Sequence, residues 1–200
     1  MSIELYILIL ISYLLGSIPF GLIISKLNGV DIRLHGSKNI GATNVFRVMG
    51  KKYGVSTFFL DTLKGFIPTY YFPMFLIDNQ FNDIGILFGI LSIIGHTFPI
   101  FLAFKGGKGV ATSAGMLFGV APIALFIGFL IWILTLMISK YVSLSSILAC
   151  ITVLLIVLFG QSSSLILKVL MFFLTVLIIF LHRANIARII NGTENKIKRE

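Results

Sequence analysis

Long apolar runs alternate with short polar stretches along the whole chain. A helix that crosses a bilayer needs about 20 apolar residues, with a range of about 17–25. The first such run extends from about Ile3 to Ser25 and is interrupted by Gly16, Ser17 and Pro19. A second, from about Gly54 to Ile77, carries Asp61 and Lys64 in its first half, and the acidic turn Asp78–Asp83 follows it. The third runs from about Ile84 to Phe104, and a glycine-rich loop at Lys105–Gly109 precedes a fourth at Val110–Val120. That fourth segment is too short to cross upright, so it is expected to be short, tilted or re-entrant. Pro122 opens a fifth run that ends near Ser139, and Lys140 marks a brief polar break. Two more follow at about Val142–Phe159 and Leu165–Leu181, before a polar, basic tail at about 182–200. The pattern predicts an all-α integral membrane protein with seven transmembrane helices. It predicts a single domain over 1–200, because helices in a small bundle need one another for packing.

Charge orients these spans. With the N-terminus outside and the C-terminus cytoplasmic, the inner side collects Lys26, Arg33, Lys38, Arg47, Lys51, Lys52, Lys105, Lys108, Lys140, Arg183 and Arg188. The outer side keeps Glu4, Asp78 and Asp83, with Lys168 as the exception. Such asymmetry follows the positive-inside rule, and a six-span arrangement would put Lys140 or the glycine-rich loop outside. The first run lacks a basic leader and a small-residue cleavage site, so it is expected to be a retained span. The polar segments Asp31–Lys52, Lys105–Thr112, Lys140–Ser146 and His182–Asn185 then all face the cytoplasm. They are expected to converge on one site there.

Composition agrees with lipid as the main solvent. The chain is 58% hydrophobic, with a mean hydropathy of +1.05, more apolar surface than a soluble domain covers. Its formal net charge of +9 suits anionic substrates or anionic lipid. Nucleic acid fits poorly, because the cations lie in short loops between spans. Cys150 is the only cysteine, which excludes an intrachain disulfide framework and a multi-cysteine metal site. Three histidines, far apart and without neighbouring carboxylates or cysteines, give zinc little support, and no metal ligand set is assigned. No internal repeat is visible, which weighs against a transporter built on inverted repeats.

Two stretches carry most of the chemistry. In GSKNIGATNVFR, Gly36 to Arg47, small residues admit close backbone approach while Ser37, Asn39, Thr43 and Asn44 supply hydroxyl and amide groups. Arg47 adds a planar fork suited to phosphate. The alternative is an ordinary solvated loop. In KGGKGVAT, Lys105 to Thr112, the glycine spacing is not that of a Walker loop. Backbone amides at a helix start favour an anion, and Lys105 or Lys108 adds full charge. The alternative is a tight turn with membrane-anchoring lysines. Asp61 and Lys64, at i and i+3, share a helix face as a structural ion pair or as substrate contacts. His96 ends the third run as a packing residue or a catalyst. The hydroxyls of YVSLSS, Tyr141 to Ser146, bind a ligand or only nearby backbone. A helical continuation past the last span presents His182 and Asn185 together. The remainder, NGTENKIKRE, reads as a solvated basic end.

Taken together and in order, GSIPFG, GSKNIGATNVFR, DTLKG, GHTFPIFLAFKGGKGVAT, YVSLSS and HRANI resemble the PlsY family of bacterial acyl-phosphate:glycerol-3-phosphate acyltransferases. The resemblance covers nearly the whole chain. It implies a multi-pass enzyme of the bacterial cytoplasmic (inner) membrane, with its active site facing the cytoplasm. It implies transfer of a fatty acyl group from acyl phosphate to the 1-hydroxyl of sn-glycerol 3-phosphate, giving lysophosphatidic acid and phosphate. No cofactor, no metal and no obligate protein partner is implied; the partners are the two substrates and membrane lipid.

Carried over by position, Ser37, Arg47, Lys108, His182 and Asn185 look like the glycerol-phosphate site. Asn39, Gly41, Thr43 and Asn44 look like the polar wall of the acyl-phosphate site. Gly106, Gly107 and Gly109 would hold phosphate through backbone amides, beside Lys105 and Thr112. A serine of YVSLSS belongs to the site as well, with Ser146 favoured over Ser143. Two positions depart from the family pattern: Lys38 stands where glycine is frequent, and Ala184 where an acid is frequent beside His182. The rival expectation, from membrane placement and basic loops alone, is a membrane transporter for an anion such as phosphate.

Overall fold

A computed structural model describes residues 3–76, 83–161 and 163–197. Of the expected acidic turn at Asp78–Asp83, all but Asp83 lies outside the described residues. Among the described residues the chain is all-helical, with ten α-helices, three short 3-10 turns and no strand. It divides into two compact units, Met1–Val120 and Ala121–Glu200.

The first unit begins with α1 (Ile3–Ser17) and α2 (Phe20–Leu27), bent by 44° at the break. Pro19 has no N–H to continue the ladder. The Ile18 carbonyl at the break accepts a turn bond from the Phe20 N–H at 3.1 Å. It also accepts one from the Lys64 ammonium at 2.9 Å. A 3-10 turn at Ile32–Leu34 is capped by Asp31, whose carboxylate accepts from the Arg33 N–H. The Arg33 guanidinium, hydrogen-bonded to Asp31, holds that carboxyl well below the usual carboxylate range.

Next come α3 (Ala42–Met49) and α4 (Lys51–Tyr71), joined by Gly50 alone. Its φ of 89° lies where side-chain-bearing residues rarely sit. A 3-10 turn at Phe72–Phe75 follows α4. The unit continues with α5 (Ile84–Thr97), a 3-10 turn at Ile100–Leu102, and α6 (Val110–Val120). Pro99 breaks the regular helix after α5, and the 3-10 turn carries the apolar run on to Leu102, close to the expected Phe104. Helices α4 and α6 nearly touch: a Cβ on Gly65 would strike the Thr112 carbonyl, and one on Gly115 the Thr62 carbonyl. Small residues at helix contacts are how apolar helices associate when lipid removes the hydrophobic drive. One apolar cluster gathers Leu5, Phe72, Ile84 and Phe88. Another gathers Leu22, Ile32, Ile40 and Val45, with Val48, Met49, Tyr53 and Leu102 against it.

The second unit holds α7 (Pro122–Ser139), α8 (Val142–Phe159), α9 (Leu165–Leu181) and α10 (Arg183–Ile190). Gly128 of α7 meets Val153 of α8. One side of α7 is apolar and bare: Phe126, Met137 and Ile138 are 62%, 62% and 85% exposed. Surface of that kind is natural only where the solvent is lipid.

Among the described residues, three segments are long and apolar enough to cross a membrane: Ile84–Leu102, Pro122–Ser139 and Val142–Phe159. The number rises to five if the bent pairs α1–α2 and α9–α10 each count as one span. The other two expected spans are α4, which carries Lys51, Lys52, Asp61 and Lys64, and α6, which has 11 residues.

Candidate active site

In the first unit, the GSKNIGATNVFR stretch is a loop running into α3, not a loop throughout. Asn44 organises it. Its side chain is 1% exposed. The Oδ1 atom accepts from the Ser37 N–H at 2.8 Å, and Nδ2 donates to the carbonyls of Ile32, His35 and Asn39 at 3.2, 3.0 and 2.9 Å. The amide that was expected on a substrate wall is thus engaged with the loop itself. Asn39 Oδ1 accepts from the Gly41 N–H at 2.8 Å, and the Gly41 carbonyl accepts from Asn44 and Val45 to start α3. Thr43 and Arg47 lie one turn apart on the exposed face of α3. Ser37 is exposed beside Lys38, which holds a left-handed φ of 59°.

The glycine-rich loop departs further from expectation. The Gly106 N–H donates to the Thr97 carbonyl at 3.1 Å, and the Gly107 N–H to the His96 carbonyl at 3.0 Å. These two amides close the end of α5, whose last carbonyls lack helical partners. Both amides therefore bond backbone carbonyls at the positions where phosphate was expected to meet them. Thr112 is fully buried on α6 against α4, because α6 turns that face inward. Lys105 is exposed, while Lys108 is partly buried between Gly107 and Gly109. Gly109 has a φ of 79°. Ala103 and Phe104, just upstream, are also left-handed, at 48° and 62°. Leu102 packs on the apolar cluster formed by Ile32, Ile40 and Val45, so this loop and the α3 loop share one end of the unit.

Beneath the glycine-rich loop lies a buried polar hub. Lys64 Nζ is 2.9 Å from Asp61 Oδ1, with the two side chains 1% and 3% exposed. The pair is a structural ion pair, as one of the two expected readings had it. Lys64 also meets the Ile18 carbonyl and the Phe20 ring. From α5, Ser92 donates to the Lys64 carbonyl. His96 turns Nδ1 toward Asp61 Oδ1 at 3.7 Å, and its ring lies against Gly107.

In the second unit, His182 sits between α9 and α10. Its Nδ1 is 2.8 Å from the Ile178 carbonyl. A carbonyl only accepts, so Nδ1 carries the proton and the neutral ring's lone pair is on Nε2. The α9 backbone orients this ring, and Ala184 is exposed and apart from that bond. Asn185 Nδ2 donates to Glu194 Oε1 at 2.6 Å, Ser143 Oγ to the same oxygen at 2.9 Å, and Arg188 Nε to Oε2 at 2.7 Å. Burial pushes the Glu194 carboxyl up, but these three donors outweigh it and hold it below its ordinary value. Ser146 instead accepts from Trp132 Nε1 at 3.3 Å.

Sequence reasoning missed Glu194 altogether, and the tail around it was expected to be solvated. The tail is pinned: besides Glu194, the Ile197 N–H donates to the Lys140 carbonyl at 3.0 Å. Lys196 Nζ also stands 5.5 Å from the centre of the Tyr141 ring. The signal available was a carboxylate set among cations, which composition alone reads as solvated charge.

Residues 6–192 match the family described as glycerol-3-phosphate acyltransferase. A glycerol-3-phosphate acyltransferase of Listeria welshimeri is 47% identical over 199 residues, covering 99% of each chain. One from Aquifex aeolicus is 46% identical over 191 residues, covering 94% of this chain and 97% of its own. The crystal structure of PlsY, an integral membrane glycerol 3-phosphate acyltransferase, in its glycerol 3-phosphate form is 42% identical. It superposes with a TM-score of 0.90 over 97% of this chain and 96% of that one. The lysophosphatidic acid form of PlsY gives 0.87 over 97% and 95%.

Proposed function

The chain belongs to the glycerol-3-phosphate acyltransferase family as an all-helical integral membrane enzyme, and from that premise we propose that its acyl donor is acyl phosphate and its acceptor the 1-hydroxyl of sn-glycerol 3-phosphate. The hydroxyl oxygen attacks the acyl carbonyl carbon, the bond from that carbon to the phosphate oxygen breaks, and lysophosphatidic acid and phosphate leave. Phosphate is already a good leaving group, so no covalent enzyme intermediate is needed. The observation that carries this reading is the placement of the α3 loop and the glycine-rich loop at one end of the first unit, around Leu102. Lipid then holds the donor's tail while cationic loops hold its head.

Ser37, Arg47 and Lys108 bind the glycerol phosphate, and Lys108 and Arg47 offset oxyanion charge as it develops. Thr43 and Asn39 line the acyl-phosphate side, with Asn44 and Gly41 setting the loop's shape. Gly109 and Lys105 belong to the same rim. In the second unit His182 and Asn185 act on the acceptor. The proton leaves to His182 Nε2 or to a substrate phosphate oxygen. The Ile178 bond, which fixes the proton on Nδ1, supports His182. Ser143 is favoured over Ser146, since it shares Glu194 with Asn185 while Ser146 is turned to Trp132. The chain acts as one domain of seven spans in the bacterial cytoplasmic membrane, N-terminus outside and site inward. The relatives' names lend nothing to the transporter expectation.

The test uses purified protein in lipid with palmitoyl phosphate and radiolabelled glycerol 3-phosphate, without CoA or added metal, and palmitoyl-CoA as the parallel donor. Lysophosphatidic acid from the phosphate donor alone is expected. Product only from the CoA donor would overturn the donor assignment.

A further inference from the structure

The hub under the glycine-rich loop has a geometry that reaches the chemistry. Asp61 is fixed by Lys64 at 2.9 Å, and Lys64 is itself held by the Ile18 carbonyl. One edge of the His96 ring faces Asp61. The opposite edge fills the place where a side chain on Gly107 would stand: a Cβ there would run into His96 Nε2. The His96 backbone carbonyl accepts the Gly107 N–H, and the Thr97 carbonyl accepts the Gly106 N–H. The loop is therefore clamped by its backbone to the end of α5, with an imidazole wedged beneath its middle glycine. Lys108 is the next residue.

We propose that His96, packed between the Asp61–Lys64 pair and Gly107, is a positioning residue that sets the height and direction of the loop bearing Lys108. The ring is 5% exposed and acts through the loop. The ring's Nδ1 faces Asp61 Oδ1 at 3.7 Å, beyond hydrogen-bond distance, so packing sets how the ring leans, and the absence of a side chain at Gly107 lets the loop come down onto it. This explains why an ion pair is kept inside an apolar unit, where breaking it is costly. Its function is directional: it gives a rigid floor to a loop that is otherwise glycine. The inference rests on the acyltransferase reading, because its measure is turnover.

A double-mutant cycle between ring and loop tests it, with kcat and KM for glycerol 3-phosphate measured on protein normalised by folded fraction. Gly107→Ala is expected to lower kcat about a hundredfold, the scale of an ångström-sized misplacement. His96→Asn, which shortens the side chain, is expected to lower it about tenfold with KM changed less. In His96→Asn/Gly107→Ala the methyl gains room, so the double variant is expected to be at least about tenfold faster than Gly107→Ala, a coupling that independent damage does not produce. Losses that multiply, or an unchanged kcat in His96→Asn, would overturn the proposal. Should Gly107→Ala not fold, His96→Phe decides. It keeps a ring under the loop but offers Asp61 no nitrogen, so its kcat is expected to fall, and a wild-type kcat would overturn the role. A wild-type protein that makes no lysophosphatidic acid in the same assay fails the acyltransferase reading itself. Wild-type turnover with an undisturbed His96→Asn fails only the positioning role.

Discussion

Lys38 holds a φ of 59°, a conformation that costs a side-chain-bearing residue about 1–2 kcal/mol relative to glycine's tolerance of it. The same position had stood out in the sequence as a lysine where the resemblance implied glycine, and the left-handed backbone gives the physical reason. Lys38→Gly is therefore expected to raise stability by about 0.5–1 kcal/mol after the extra chain entropy of glycine is counted, with turnover unchanged. A lower melting temperature would contradict this. Lys108→Ala is expected to lower kcat by about 10²–10³ if the ammonium offsets oxyanion charge; intact turnover at saturating substrate would end that role. At this scale the sequence was legible for residue types and partly silent on what they touch. Asn44 read as a ligand group because amides bind oxyanions, yet its three carbonyl partners are backbone of its own loop. Contacts with backbone leave no trace in composition.

Among elements, α6, α7, α8 and α9 begin and end where the apolar pattern placed them, because Gly109, Pro122, Lys140 and the polar residues before Leu165 punctuate the chain. Helix α3 was read as loop. It has only eight residues, polar and small ones among them, and buries Asn44 beside Val45, so a helix this short was hidden inside a stretch that reads as polar loop. The tail was misread for a related reason: Glu194 looks like solvated charge until Ser143, Asn185 and Arg188 are brought to it by the fold. Glu194 titrates below its ordinary value of 4.5, so it contributes stability that is present above that value and lost as pH falls through the lowered one. Glu194→Gln is thus expected to be less stable than wild type at neutral pH, with the gap closing below about pH 4. Thermal melts across pH check this, and a pH-independent gap would argue against a charge effect.

For the whole molecule, the charge asymmetry predicts a topology that chemistry can read. In a Cys150→Ala background, a cysteine at Lys105 is expected to be protected from a membrane-impermeant thiol reagent in intact cells, and one at Asp83 to be modified. The reverse pattern would invert the orientation and move the active site outside. Fold class was legible because lipid leaves few architectures open: apolar runs of this length must satisfy their backbones within helices. The number of crossings was harder to fix, since α4 carries an internal ion pair and α1–α2 and α9–α10 are bent pairs. The bend at Pro19 bears on how the protein is made. Lys64, which meets the Ile18 carbonyl there, lies 46 positions further along the chain and so leaves the ribosome after the first span. Nascent chains arrested just after Lys64 has cleared the ribosome and its exit path are expected to integrate the first span more completely than chains stopped before it; equal integration would show that the bond matters only later. Order of birth and order of completion then differ, and the N-terminal span is finished by a helix that arrives after it.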